Sequence, residues 1–440
     1  MLWPLSDDRD RMGRAAGCGQ LGGVFELWWD LVGAPEQGSL LERLAILYTL
    51  TNDAAYAHKA GVLLDRAADL YPEMDYGASF SLGMEASTGG SGRGRVQGCI
   101  WETWTVQNLA RAYDYTYDAL VEDGALLAFS QEMAAKHSTG DKSSLAAIAR
   151  HIEQHGLEEG IVAVKDGRAR GNAGMHQEAM AAAAVAIDRP DVTDPALDWL
   201  FEPDPGKPPY GGDIPTILVE RLCREGFSDE AALGYSSIPA KAFLAVAELL
   251  RRRPQYTKHD LYRDYPKFRN CFAMCRTVRV IDRYSPNHGD GDKCMNFGTT
   301  GLTMPVAMEL QGYRVYGGRE IAREVWFSNG KKLEGLKLDV YDPEPEEILT
   351  RLKADLADDH IGLSIRAVQD EGQAAGFGGQ QINQGHAGLH RGGDAGERWG
   401  QQEIGVGLLA VHRHAADGRD GFIQIAAGCL QLLTPGGVVA

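Results

Sequence analysis

Leu41-Glu-Arg-Leu-Ala-Ile-Leu-Tyr48, the break Thr51-Asn-Asp53, and then Tyr56-Ala-His-Lys-Ala-Gly-Val-Leu-Leu-Asp-Arg-Ala67 decide the fold class of this 440-residue chain. Apolar residues recur at three- and four-residue spacing in both segments, which turns one stripe of a helix toward a core. The polar break between them supplies helix-capping residue types. The stretch reads as a helix, a capped turn and a second helix.

Working outward, residues 24–160 carry the same helical pattern, interrupted by the glycine-rich stretch Gly89–Gly98, read as a loop. Trp101-Glu-Thr-Trp-Thr-Val-Gln-Asn-Leu-Ala-Arg-Ala-Tyr-Asp114 is a further amphipathic helix. Helices are also expected over 126–136, 143–155, 174–187, 213–224, 237–253 and 258–275. Long helices joined by short polar loops predict stacked helical hairpins and a mainly α chain. Past residue 277 the texture changes. Thr277-Val-Arg-Val-Ile281, Tyr313-Arg-Val-Tyr316 and Ile361-Gly-Leu-Ser-Ile365 read as short strands of a β-rich region. Residues 370–400 are dominated by Gly, Gln and His, and the ending Gly436-Gly-Val-Val-Ala440 gives the expectation of an incomplete C-terminal domain.

Bulk composition narrows the function classes. Hydrophobic residues make up 44% and charged residues 24%, the balance of a globular protein. Lys+Arg 44 against Asp+Glu 61 gives a net charge of -17, which argues against nucleic acid as a partner. It also weighs against a polyanionic ligand unless basic residues gather at one place. Local groups exist: Arg93/Arg95, Arg168/Arg170, Arg251/Arg252/Arg253 and Arg276/Arg279/Arg283. No apolar run is long enough for a membrane span. Met1-Leu-Trp-Pro-Leu-Ser-Asp-Asp8 shows no basic region followed by an apolar core, so no signal peptide is read. Periplasmic or extracellular placement would require a start upstream of Met1. The seven cysteines are scattered, and Cys271-x-x-x-Cys275 lacks paired zinc spacing, so they read as mostly buried and reduced.

Two segments carry chemistry. Arg168-Ala-Arg-Gly-Asn-Ala-Gly-Met-His-Gln-Glu-Ala-Met180 places Asn172, His176 and Gln177 at the mouth of an alanine-rich helix. Gly226-Phe-Ser-Asp-Glu-Ala-Ala-Leu-Gly-Tyr235 brings a tyrosine on a glycine-marked loop. Neutral donors beside a phenol suit the removal of a proton next to a carboxylate. A donor aimed at such a carboxylate is worth about 10²–10³-fold in rate. Asn172 and His176 are one helical turn apart and can face one pocket, and a helix N-terminus there favours an anion. The bland alternatives are a helix cap for Asn172 and a satisfied structural histidine for His176. His288 with Asp290 and Asp292 reads as a turn rather than a metal site.

These residues resemble the heparinase II/III-like family, relatives of the alginate lyases, over roughly 40–300. The patches that carry the likeness are Leu44–Ala57, Gly94–Asp114, Gly171-Asn-Ala-Gly-Met-His-Gln177, Gly226-Phe…Gly234-Tyr235 and Ser285-Pro-Asn-His-Gly-Asp290, in the family's order. The resemblance implies an incomplete (α/α) toroid over 1–276, followed by a partial antiparallel β-sandwich over 277–440. It implies Tyr235, His176 and Asn172 as catalytic, without metal or redox cofactor, on an anionic polysaccharide. The family's Gly-His-Gly-His-type motif has its nearest counterpart in Gln384-Gly-His-Ala-Gly-Leu-His-Arg391, with altered spacing. His386 is the expected second base, with His390 or neither histidine as the alternatives. Gln177, Arg170, Arg95, Trp101 and Glu102 complete the expected substrate-binding set.

Uronate β-elimination is therefore the leading expectation. An inverting glycoside hydrolase on the same helical scaffold would use a carboxylate pair drawn from Asp229, Glu230 and Glu102. A non-catalytic glycan-binding fragment is the third reading.

Overall fold

The computed structural model describes residues 29–33, 39–75, 94–96, 100–229, 233–279, 304–336 and 345–357. They are mainly helical. The principal helices are α1 (Leu40–Thr51), α2 (Ala54–Leu70), α3 (Glu102–Leu120), α4 (Gly124–His137), α5 (Leu145–Ile152), α6 (Glu159–Lys165), α7 (Met175–Ile187), α8 (Pro190–Trp199) and α9 (Leu233–Arg251). Three more follow: α10 (Val306–Tyr316), α11 (Arg319–Ser328) and α12 (Pro345–Ala357).

The first hairpin forms for the reasons its sequence supplies. Ser39 caps α1 by accepting from the Glu42 N–H at 3.2 Å. Asn52 ends the helix in the left-handed conformation at φ 55°. Asp53 then opens α2 by accepting from the Ala55 N–H at 2.9 Å. Each cap satisfies a backbone group that a helix end leaves free.

Helix α3 packs against α1, α2 and α7, and α7 packs in turn against α8 and α9. Alanines make that centre possible. Ala179, Ala181, Ala183 and Ala184 of α7 are all buried, and their small side chains let neighbouring helices approach closely. Arg111 of α3 ties the three together, reaching Glu42 of α1 at 3.2 Å and Glu178 of α7 at 2.6 Å. Between α5 and α6 the chain widens into a π turn over Glu153–Glu158.

Several expectations change here. Tyr313–Tyr316 is not a strand but the last turn of α10, which packs on α11, and α11 packs on α12. Leu310 and Tyr313, three residues apart, both face the core, a helical spacing that the four-residue window conceals. Thr277 and Val278 end a short helix, Met274–Val278. The single helix expected over 258–275 is three one-turn pieces, because Pro266 lacks an N–H and disfavours helix at the residue before it. One hydrophobic core runs from Val32 to Leu352 and includes Leu310, Tyr313, Ile321, Val325 and Leu352. Residues on both sides of the expected 276/277 boundary contribute to this core. By compactness the chain divides into Met1–Ile365 and Arg366–Ala440. Among the described residues there is no strand, only an isolated bridge between Leu222 and Ser228. Residues 361–365, 370–400 and 436–440 lie outside the described residues, as does most of Gly89–Gly98. No described helix is long and apolar enough to cross a membrane.

Candidate functional site

The start of α7 is fixed by glycine and glutamine. Gly174, at φ 97°, is the N-cap. A Cβ there would lie 2.7 Å from the Ala242 Cβ and 3.1 Å from the Pro239 Cα, so only glycine lets α9 press on this end of α7. Gln177 completes the cap: its Oε1 accepts from the Gly174 N–H at 2.8 Å, and its Nε2 donates to the Gly212 carbonyl at 2.6 Å. The side chain is fully buried. Gln177 is thus spent on backbone and is not a substrate donor, which corrects the sequence expectation. Gln177→Leu is expected to destabilise the fold by about 1–3 kcal/mol for each of the two buried backbone groups left unpaired. A shifted urea midpoint checks this, and an unchanged midpoint would remove Gln177 from the helix start.

Asn172 is released from the capping role. Its backbone carbonyl accepts from the Met175 N–H at 3.0 Å, while its amide side chain makes no hydrogen bond among the described residues. A Cβ on the neighbouring Gly171 would come 3.0 Å from the Ile100 carbonyl, so the loop carrying Asn172 runs directly beside the entry to α3.

His176 is buried, with its Nδ1 3.1 Å from the Gly171 carbonyl. A carbonyl oxygen only accepts, so Nδ1 carries the proton and Nε2 presents a lone pair. Burial, with the Arg170 guanidinium nearby, pushes the imidazole down to about 3. His176 is neutral at physiological pH and cannot donate to a carboxylate through Nε2, a correction to its expected role. The linkage has a definite sign. The unfolded chain binds a proton below about 6.5 that the folded chain refuses until about 3. Stability from this group is complete above the unfolded value and is lost as pH falls across that window, with a slope of up to about 1.4 kcal/mol per pH unit. His176→Gln is expected to flatten that part of the stability–pH curve. Parallel curves for the two proteins would exclude the histidine as the cause.

Arg170 pairs with Asp204 at 2.5 Å and lies over the Tyr210 ring, 4.3 Å from its centroid. Asp204 and Tyr210 thereby pin the Arg170 side chain beside His176. No local sequence pattern points to them, since Asp204 lies 34 residues away.

Tyr235 stands in the first turn of α9 rather than on a loop, and α9 starts earlier than the expected 237. It is one turn before Pro239 on the same helical face, and Pro239 abuts Gly174. One turn is about 5.4 Å. Its side chain is 38% exposed, and its hydroxyl has no hydrogen bond among the described residues. Pro239 inside the helix has no N–H to offer the Tyr235 carbonyl.

The remaining expected residues divide. Arg95 is buried: it donates to the Tyr71 and Pro72 carbonyls at 3.0 and 2.7 Å, pairs with Glu159, and lies over the Tyr71 ring. Glu102, also buried, accepts from the Val96 N–H through both oxygens at 3.2 and 3.1 Å. Both hold structure rather than face solvent, contrary to the expectation of substrate contact. Trp101 remains 39% exposed and stacks on Trp104 with centroids 6.2 Å apart. Of the carboxylates considered for hydrolysis, Asp229 is held by Arg221 at 2.7 Å and Glu230 lies outside the described residues. His386, His390, His288, Asp290 and Asp292 also lie outside them. The basic groups are largely neutralised: Arg253 pairs with Asp188 and Asp194, Arg276 with Glu320, and Arg279 with Glu324. Cys271 and Cys275 are buried free thiols, while Cys223 is exposed.

The structure brings together Asn172, His176, Arg170 and, through the Gly174–Pro239 contact, the start of the helix bearing Tyr235. The chain matches no family model and no curated protein.

Proposed function

We propose that this protein is a polysaccharide lyase that cleaves a uronate-containing polymer by β-elimination. The observation that carries the reading is the convergence at one end of α7 of an unengaged Asn172 amide with the helix bearing an exposed, unengaged Tyr235 hydroxyl. The heparinase II/III-like resemblance of the same residues supports it. An (α/α) toroid with an appended β-sandwich belongs to this reading as well.

In this mechanism the substrate carboxylate docks at the N-terminal end of α7. Asn172 Nδ2 and the helix dipole stabilise the charge that develops when the C5 proton leaves. Tyr235 transfers the protons. As base it accepts the C5 proton, the C4–O bond breaks, a C4–C5 double bond forms, and the departing oxygen takes a proton back. His176, neutral with an Nε2 lone pair, accepts a hydrogen bond from a sugar hydroxyl instead of neutralising the carboxylate.

The test is ultraviolet absorbance during incubation with a panel of heparan-type, hyaluronan, alginate and glucuronan polymers. Growth of unsaturated uronate is the expected result. Folded protein that yields reducing ends without unsaturation would make the chain a hydrolase, and saturable binding without any product would make it a glycan-binding protein.

A further inference from the structure

Away from the α7 site, two pairs of metal-ligating side chains face each other across α2 and α5. Asp65 and Asp69 are one turn apart on α2. His151 lies in the last turn of α5, and His155 follows one turn later in the π turn. One oxygen from each aspartate and one nitrogen of His151 lie within 4.8 Å of one another. His151 Nε2 is 2.9 Å from Asp69 Oδ1, and the His155 ring packs on the His151 ring with centroids 4.6 Å apart.

A cation already sits among these donors. The Lys142 ammonium contacts Asp65 Oδ1 and lies 3.1 Å from Asp69 Oδ1, with both the lysine and the carboxylates almost wholly buried. Ser130 Oγ donates to the second oxygen of Asp65 at 2.7 Å. The second oxygen of Asp69 is buried without a hydrogen-bond donor, its nearest cationic neighbour being Arg66 Nη1 at 3.7 Å. Lys142 arrives on the short connection between α4 and α5. Gly140 on the same connection is pressed so close to His151 that a Cβ would lie 3.1 Å from Nδ1.

We propose that Asp65, Asp69 and His151 form a binding site for a first-row divalent cation of the zinc or cobalt class, which Lys142 fills in the absence of the ion. Two carboxylate oxygens and one imidazole nitrogen are the donor set such ions take, with bonds of about 2.0–2.2 Å. Entry of the ion displaces the lysine, and His151 ligates through Nε2 as the neutral imidazole, its one ring proton passing to Nδ1. The ion therefore competes with an ammonium, and its arrival frees the α4–α5 connection from α2.

The experiment titrates the full chain with cobalt(II) by calorimetry and visible absorption, as wild type, Lys142→Met and Lys142→Met/Asp69→Asn. The single variant is expected to bind one cobalt ion, with ligand-field bands, at least about tenfold more tightly than wild type, because an adjacent buried positive charge is gone. Its thermal midpoint should rise with cobalt, and the double variant should lose both effects. Folded Lys142→Met with no saturable cobalt binding overturns the proposal. Equal affinity in wild type overturns the role given to Lys142. A Lys142→Met chain that stays unfolded in saturating cobalt also overturns it, because a bound ion would replace the lost cation.

Discussion

Tyr235→Phe is expected to lower the rate of unsaturated-uronate formation by about 10²–10⁴-fold while leaving polymer binding nearly unchanged. The substitution removes one oxygen from a side chain that is 38% exposed and makes no hydrogen bond among the described residues, so packing has little to lose. Any large kinetic effect must then come from proton transfer. Initial rates by ultraviolet absorbance, set beside affinity from calorimetry, separate the two. A rate within a few-fold of wild type would pass the acid–base role to another group and leave Tyr235 as an ordinary surface tyrosine.

The parts of the fold that were legible in the sequence are those governed by local chemistry. Ser39, Asn52 and Asp53 act through backbone groups within three or four residues, so the α1–α2 turn could be read directly. The failures have physical causes too. The window Tyr313–Tyr316 is too short to separate a two-residue from a 3.6-residue period, and only the longer run through Leu310 gives the helix away. Glycine at the N-cap of α7 offers no side-chain oxygen, so nothing in the local sequence marks the partnership of Gly174 with Gln177. Arg95 and Glu102 carry charges that suggest a ligand, yet the fold satisfies both with backbone groups and a neighbouring carboxylate. The clamp of Asp204 and Tyr210 on Arg170, and of Lys142 on α2, exist only in three dimensions.

The tautomer of His176 alters the division of labour at the site. In the proposed lyase mechanism, with Nδ1 committed to the Gly171 carbonyl, stabilisation of the substrate carboxylate falls to Asn172 and the end of α7. Arg170 contributes at longer range, because one side of its guanidinium is already engaged by Asp204. A site with one principal neutral donor depends on that donor more heavily than one with three.

Asn172→Ala is therefore expected to cost about 10²–10³-fold in turnover, the value typical of one donor aimed at a developing oxyanion. The loss should fall on kcat with KM little changed, since the amide's contact strengthens as the C5 proton departs and adds less to ground-state binding. Stability should stay within about 0.5 kcal/mol of wild type, because the half-buried amide caps no helix and makes no hydrogen bond among the described residues. Gln177, not Asn172, holds the start of α7. The two substitutions thus predict opposite patterns: Gln177→Leu lowers the urea midpoint, whereas Asn172→Ala lowers turnover at an unchanged midpoint. Asn172→Asp sharpens the contrast, because a carboxylate there repels the substrate's own and should reduce both affinity and rate, increasingly so at low ionic strength. Unchanged kinetics in Asn172→Ala would remove the amide from the mechanism, and with it the observation on which the lyase reading rests.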